Sequence, residues 1–297
     1  GQNLILKNNA FIISRSAWIV KGSEKKLIKI EGLKNNFGGG IFIKNTKQKS
    51  LFKNVEFRYL SGLKKSNNHK HNDSIISSQI ISIDNSNSLK EKQIFVKKTK
   101  NNLSDEYIIY GALNFYNTKL NLDNLNFNNI NSEDAVNIIS SDFELKNTNF
   151  HNIFSDAVDI DFSKGKISDL KFNNIQNDAL DFSGSSINVK KIEFKNVLDK
   201  MISVGENSFI IINDIIGSVG FVGVASKDGS EVYLENAKLN NTKYPYTAYI
   251  KKDEYKPSTL YLKNIKSNNF YTDGISKIFY KEMSNLVINK DIVEILY

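Results

Sequence analysis

A repeat of about 22 residues places the tightest constraint on how this 297-residue chain folds. One phenylalanine column follows it at spacings of 23, 22 and 22 residues, and an asparagine stands two positions after each phenylalanine. The two columns are Phe127, Phe150, Phe172 and Phe194, and Asn129, Asn152, Asn174 and Asn196. A self-similar period of this length is the signature of a repeat architecture in which each unit stacks on the next.

Within each unit, apolar and polar residues alternate, as in the strings LNLDNLNF and AVDIDF. A period of two indicates strands, and helical periodicity is scarce. Three short strands that return to the same register in every unit describe one turn of a coil. The sequence therefore predicts an all-β fold, a parallel β-solenoid of triangular cross-section with about 22 residues per coil.

One domain is expected over residues 1–297, with interruptions at three places. The polar segments 63–74 and 86–106 break the pattern and are predicted to be loop excursions from the stack. The segment 271–297 is apolar on alternate faces and is predicted to cap the last coil, because an uncapped solenoid end exposes unpaired strand edges.

The spacing and the asparagine corners, as in LKNTNFHNI, resemble the pectate-lyase-like superfamily of single-stranded right-handed parallel β-helices. The resemblance covers at least residues 110–270. It implies the right-handed winding, and it implies a protein that binds or cleaves carbohydrate. Such features mark a fold more firmly than an activity, so the function has to be argued from the site.

A third column is acidic, and it is most concentrated in SDAVDIDFSKG, residues 155–165. Asp134, Asp156 and Asp178 are 22 residues apart, as are Asp159 and Asp181. Stacking therefore places like charges on successive coils, which is unfavourable unless protons are shared, calcium binds between the rows, or a lysine neutralises the row. An equally weighted alternative is structural, in which these carboxylates accept hydrogen bonds from backbone amides at the corners.

The candidate site follows from this column and its continuation along the coils. The candidate catalytic residues are Asp156, Asp159, Asp178, Asp181, Lys200 and Lys227. The candidate substrate-binding residues are Asp134, Asp161, Glu206, Asp228, Tyr249, Lys251, Lys252 and Tyr255. The candidate calcium ligands are Asp156, Asp159, Asp178 and Asp181.

Lyases and epimerases of uronic acids need a base, a proton donor and a group that neutralises the substrate carboxylate, which lysine, tyrosine or calcium can supply. A glycoside hydrolase instead needs two facing carboxylates, and Asp156 with Asp178 or Asp159 with Asp181 would suit a retaining enzyme. The predicted function is a polysaccharide lyase or epimerase acting through this face. A glycoside hydrolase and a non-catalytic carbohydrate-binding, adhesin or scaffold module are the alternatives.

The net charge of +8 is compatible with an acidic polysaccharide as partner, while lysines scattered along the whole chain disfavour nucleic acid. The absence of cysteine suits an exported bacterial protein, periplasmic, cell-surface or extracellular, whose export signal is not part of this sequence. No apolar run is long enough to span a membrane. The sequence leaves the oligomeric state open.

Overall fold

The structure is a computed structural model that describes residues 2–7, 10–62, 74–76, 80–84, 111–267, 269–280, 286–288 and 292–297. The predicted loop 86–106 and nearly all of the predicted loop 63–74 lie outside these residues. Within them, 22 strands pair into one continuous sheet, and every pairing between named strands is parallel. The sheet winds into a β-solenoid of about ten turns, with about 23 residues per turn, which confirms the predicted parallel β-helix.

The N-terminal half of the sheet contains ten strands that build the first turns. They are β1 (Asn3–Ile5), β2 (Phe11–Ser14), β3 (Ala17–Lys21), β4 (Ile28–Glu31), β5 (Gly40–Lys44), β6 (Ser50–Arg58), β7 (Ser74–Ile76), β8 (Ile80–Asp84), β9 (Gly111–Tyr116) and β10 (Lys119–Ile130).

The remaining strands continue the stack in sequence order and end with a short helix. They are β11 (Asp134–Ile139), β12 (Asp142–Ile153), β13 (Asp156–Asp161), β14 (Lys164–Ile175), β15 (Leu180–Ser183), β16 (Ser186–Gly205), β17 (Phe209–Lys227), β18 (Glu231–Tyr249), β19 (Thr259–Ile265), β20 (Phe270–Thr272), β21 (Lys277–Tyr280), β22 (Leu286–Ile288) and the helix α1 (Ile292–Leu296).

One turn lies out of sequence order at the N-terminal end of the stack. Strands β7 and β8 pair with β2 and β3, whose opposite edges pair with β5 and β6. The chain then returns to the free edges of β5 and β6 through β9 and β10. Among the described residues, the segment between the two predicted loops is therefore the outermost turn, although the six strands β1 to β6 precede it in the sequence.

The core is a long cluster of buried aliphatic side chains that includes one column of inward-facing aromatic rings. Ring centroids of Phe127, Phe150, Phe172 and Phe194 are 4.9, 4.9 and 5.3 Å apart, and the planes lie within 15° of parallel. Phe57 extends the column at 4.7 Å from Phe127. All five rings are buried, as the period of two predicts.

Two polar ladders hold the corners of the coil. Asn152 Nδ2 donates to Asn129 Oδ1 at 3.1 Å, Asn174 continues the ladder at 2.8 Å, and each of these asparagines has a positive φ that its side chain tolerates. A second ladder runs along a serine corner, where the backbone N–H of Ser141 donates to Ser163 Oγ at 3.0 Å and that of Ser163 to Ser185 Oγ at 3.0 Å.

No helix in the described part of the chain is long and apolar enough to cross a membrane. The helix α1 packs its buried Ile292 and Leu296 against Val222, Ala225 and Tyr249, which lie on the side of the stack. The C-terminal segment therefore contributes the last strands, β20 to β22, and also a cover over one lateral face.

Candidate functional site

One lateral face of the stack collects the acidic columns, and we call it the acidic face. It is formed by β11, β13 and β15 and by the parts of β16 and β17 that continue them. The register pairs Asp134 with Asp156 and Asp159 with Asp181, as the 22-residue spacing predicts. Its polar residues are Asp134, Asn137, Asp156, Asp159, Asp161, Asp178, Asp181, Lys200, Ser203 and Lys227.

The first row of the acidic face comprises Asp134, Asp156 and Asp178, and two of its carboxylates link one coil to the next by hydrogen bonds. Asp156 Oδ1 accepts a hydrogen bond from the backbone N–H of Asp178 at 2.8 Å and another from the side-chain amide of Asn177 at 2.6 Å. Asp178 Oδ1 in turn accepts the backbone N–H of Lys200 at 3.0 Å. The structural alternative therefore describes Asp156 and Asp178, because both carboxylates satisfy amides of the neighbouring coil.

The second row contains Asn137, Asp159, Asp181 and Ser203, and it differs from the first because three of its buried side-chain atoms form no hydrogen bond. Asn137 Oδ1, Asp181 Oδ1 and Ser203 Oγ are buried and accept or donate no hydrogen bond, and they are three of five such side-chain atoms among the described residues. Asp159 lies in the same row, between Asn137 and Asp181. A buried polar atom without a partner is costly, and such atoms concentrate at functional positions. The second row is therefore the part of the acidic face that has side-chain donors and acceptors without hydrogen-bond partners.

Burial raises the pKa of several carboxyl groups of the acidic face. It raises the pKa of Asp134 and of Asp178 to about 8, and those of Asp156 and Asp161 to about 6. The pKa of Asp159 is raised well above its ordinary value, first by burial and then by the nearby charges of Asp134, Asp161 and Asp181. Both causes disfavour the charged form, so protons relieve much of the repulsion that the sequence predicts.

Two lysines supply the remaining compensation. Lys200 Nζ lies 3.6 Å from Asp178 Oδ1 and 2.7 Å from Asp199 Oδ2, and Lys227 Nζ lies 3.7 Å from Asp181 Oδ1. Burial lowers the pKa of each ammonium, but the neighbouring aspartates outweigh burial and raise it overall. Both lysines therefore stay charged within the face.

The carboxylates suit calcium in chemistry, but their surroundings do not fit a cation. Among the described residues, no three acidic or histidine side chains converge as metal ligands. Ammonium groups already stand within 3.7 Å of Asp178 and Asp181, where a metal ion would meet electrostatic repulsion. The aspartates therefore do not fit the predicted calcium site in this arrangement.

The last residues of the chain cover the far end of the face. The ring of Tyr297 lies 4.5 Å from Lys200 Nζ and 3.7 Å from Lys251 Nζ, and its hydroxyl is 3.2 Å from that of Tyr249. Tyr249 is fully buried beneath this segment. Of the predicted substrate-binding residues, Tyr249 is thus inaccessible in this structure.

Asp134 and Asp161 belong to the acidic face, and the remaining predicted binding residues lie at the turn that follows β18 and at the corner beside it. Asp228 is buried and accepts the backbone N–H groups of Lys251 and Lys252 at 2.6 and 2.8 Å, so it shapes this turn. Glu206 forms an ion pair with Lys252. Tyr255 is half-buried in the same turn. These residues border the acidic face, through the charges of Glu206 and Lys252 near Asp161 and through the contact of Lys251 with Tyr297.

Sequence reasoning overlooked three residues of the face as candidates. Asn137 and Ser203 stand in the same 22-residue column as Asp159 and Asp181, so the repeat alone identifies their positions. Tyr297 had no such signal, because only the fold-back of the C-terminal segment brings it to the face.

The comparisons with known proteins are sparse. No protein-family model matches the chain, and no curated protein matches it. Two solved structures are distantly similar to it in fold, and both are catalytic domains of a GH87 alpha-1,3-glucanase. One, in complex with tetrasaccharides, has 10% identity, 97% coverage of this chain and a TM-score of 0.40. The other, in complex with nigerose, has 9% identity, 95% coverage and a TM-score of 0.31. This chain spans 62% and 63% of their lengths.

Proposed function

We propose that the chain engages a polysaccharide along the acidic face and hydrolyses a glycosidic bond at Asp159 and Asp181. The observation that carries the proposal is the unequal environment of this adjacent pair. Burial raises the pKa of Asp159 well above its ordinary value, whereas Asp181 has the ammonium group of Lys227 3.7 Å from its Oδ1. A buried carboxyl group beside a second carboxyl group that has a cationic neighbour is the arrangement of a general acid and its partner carboxylate.

The spacing of the pair supports a retaining mechanism. Paired residues on neighbouring strands lie about 4.8 Å apart, and the two carboxyls of retaining glycosidases are about 5 to 5.5 Å apart. Asp159 would donate its proton to the glycosidic oxygen while Asp181 attacks the anomeric carbon and forms a glycosyl ester. Asp159, now ionised, would then take a proton from a water molecule whose oxygen attacks the anomeric carbon. This step breaks the ester bond to Asp181, releases the sugar and restores both groups.

Two further atoms of the second row lie beside the aspartate pair. Asn137 Oδ1 is on the coil before the pair and Ser203 Oγ is on the coil after it, and each is buried and forms no hydrogen bond. Asp159 and Asp181 are only half-buried, so they are the members of the row that a sugar can contact.

A uronate lyase or epimerase needs a cation free to neutralise the substrate carboxylate. Lys200 and Lys227 are each already within 3.7 Å of an aspartate, which favours hydrolysis over elimination. A non-catalytic binding module is the second candidate, and the structural hydrogen bonds of Asp156 and Asp178 favour it.

The test is to incubate the protein with neutral and uronate polysaccharides and to measure new reducing ends together with ultraviolet absorbance. Hydrolysis yields reducing ends without the absorbance of unsaturated sugars. Asp159→Asn should lower the rate at least 100-fold with an unchanged melting temperature, while the matched variant Asp253→Asn, at an exposed turn, should keep full activity.

Unsaturated product would instead indicate a lyase and overturn the assigned roles. Binding without any product on any polymer would establish a binding module. Asp181→Asn is a weaker variant for this test, because it leaves Lys227 buried without its partner and lowers stability as well.

A further inference from the structure

A groove of about 310 Å³ runs along the corner that follows the acidic face, and we call it the corner groove. It crosses four successive turns and is lined by hydroxyl and amide groups, three lysines and one aromatic ring. The residues that matter here are Lys47, Asn117, Lys119, Ser140, Phe162 and Lys164. Nothing in the catalytic proposal uses them.

Phe162 occupies a backbone position that disfavours it. Its φ is 48°, in the left-handed region, and the equivalent corner residues of neighbouring turns are Asn117, Ser140 and Gly184, with φ of 48°, 49° and 59°. Asparagine and glycine adopt this conformation readily, but a bulky aromatic residue rarely does. Strain of this kind clusters at functional positions.

The ring of Phe162 also faces solvent, with 63% of the residue exposed. It lies over Gly184, where a β-carbon would stand only 2.5 Å from Phe162 Cδ1. The absence of a side chain at Gly184 in the next turn therefore leaves space for the Phe162 ring, which lies beside the corner groove and remains exposed. Neither core packing nor backbone preference explains a phenylalanine at this corner.

The lysines give the corner groove an excess of positive charge. Lys47, Lys119 and Lys164 are exposed and form no ion pair with any residue that the structure describes. Asp142 is the single acid in the lining, and it stands between Lys119 and Lys164 in the strand register. Unpaired cations around an exposed ring suit a ligand that has both an apolar face and a negative charge.

We propose that the corner groove is a binding subsite for an acidic sugar unit, in which Phe162 stacks on the C–H face of the ring and the lysines contact its carboxylate or sulfate. The proposal rests on the proposed function for its choice of a glycan, and it deepens that function by naming the substrate class. Asp159 lies three residues before Phe162, about 10 Å along an extended strand, so one bound chain reaches both sites.

The proposed contacts can be tested with ligands that differ only in charge and with variants of the groove residues. Galacturonate and mannuronate hexamers are compared with their carboxyl-reduced forms, which keep the rings and lose the charges. Binding is measured by calorimetry on the Asp159→Asn variant, because this variant should not cleave the hexamers during the measurement. We expect the charged hexamers of at least one series to bind at least tenfold more tightly than the reduced forms, with an affinity that falls as salt rises.

Phe162→Asn should weaken that binding at least tenfold while the melting temperature stays equal or rises, because asparagine relieves the strained φ. The matched control is Phe154→Asn, since Phe154 is 56% exposed at another corner of the same turn. The double variant K119Q/K164Q should lose the preference for charged hexamers, while Lys195→Gln, an exposed and unpaired lysine within the described residues, should not.

Equal binding of charged and reduced hexamers, or unchanged binding by Phe162→Asn, overturns the inference. So does a single-stranded oligonucleotide that binds as tightly as the hexamers, because the site would then select a polyanion rather than a sugar. If the hexamers bind as described but the wild-type protein releases no product, the proposed hydrolysis fails and the subsite stands. If product forms but Phe162→Asn binds normally, only the subsite fails.

Discussion

The burial of Asp134 makes the stability of the protein depend on pH in a direction opposite to that of an ordinary surface carboxylate. Its pKa is raised from 3.8 to about 8, first because burial disfavours the charge. Between these two values the folded state holds a proton that the unfolded state releases. The stabilisation is therefore complete below about pH 4 and is lost as the pH rises to about 8.

Asp134→Asn tests this directly, because asparagine has nearly the same shape and no proton to lose. A shift of about four pKa units corresponds to a difference on the order of 5 kcal/mol between acidic and alkaline conditions. The amide oxygen of the substituted side chain can still accept the hydrogen bond that Asn137 Nδ2 donates to Asp134 at 2.9 Å. The variant and the wild type should therefore match near pH 4, and the variant should be more stable above pH 8.

The assay is urea or thermal unfolding of both proteins from pH 4 to pH 9, with Asp253→Asn as an exposed control. The wild type should lose stability steadily across this range relative to Asp134→Asn, with the difference levelling off above pH 8. Equal pH dependence of the two proteins, or a variant that is less stable at pH 9, would refute the claim that the acidic face is desolvated.

The core and the cation question give two further predictions. Phe172→Ala should lower the free energy of unfolding, measured by urea titration, by about 3 to 5 kcal/mol, because it removes a buried ring that is stacked on both sides. Phe154→Ala, at an exposed position, should change it by less than about 0.5 kcal/mol. Equal effects of the two substitutions would contradict the stacked column of rings. Addition of calcium or of a chelator should leave the melting temperature unchanged, because the ammonium groups of Lys200 and Lys227 already lie beside Asp178 and Asp181. A calcium-dependent rise in melting temperature that Asp181→Asn abolishes would contradict this prediction.

The repeat made much of the fold predictable. A period of two places Phe150 inward, and a period of 22 places Phe172 directly above it, so the strands and the core follow from arithmetic on the sequence. The same arithmetic gathers Asp159 and Asp181. It does not say which stacked carboxylates serve the backbone, because the corner hydrogen bonds of Asp156 and Asp178 depend on where each side chain turns.

Contacts outside the repeat were not predictable in this way. The position of β7 and β8 beneath β2 and β3 depends on long connections whose path no period constrains. The cover formed by α1 and Tyr297 depends on a five-residue helix at the end of the chain. The serine ladder, by contrast, was visible in the sequence at Ser141, Ser163 and Ser185, and it was overlooked because serine is common in loops.

The displaced turn has a consequence for how the chain is made. A ribosome delivers β2 to β6 before it delivers the residues that cover their outer side, so the nascent rod begins with both rims bare. Only once residue 84 has emerged can β7 and β8 pair with the edges of β2 and β3, and only once residue 130 has emerged can β9 and β10 pair fully with β5 and β6. A chain stopped at residue 62 would leave the edges of β2 and β3 exposed at one end of the rod and those of β5 and β6 exposed at the other, where strands of a second chain could pair with them.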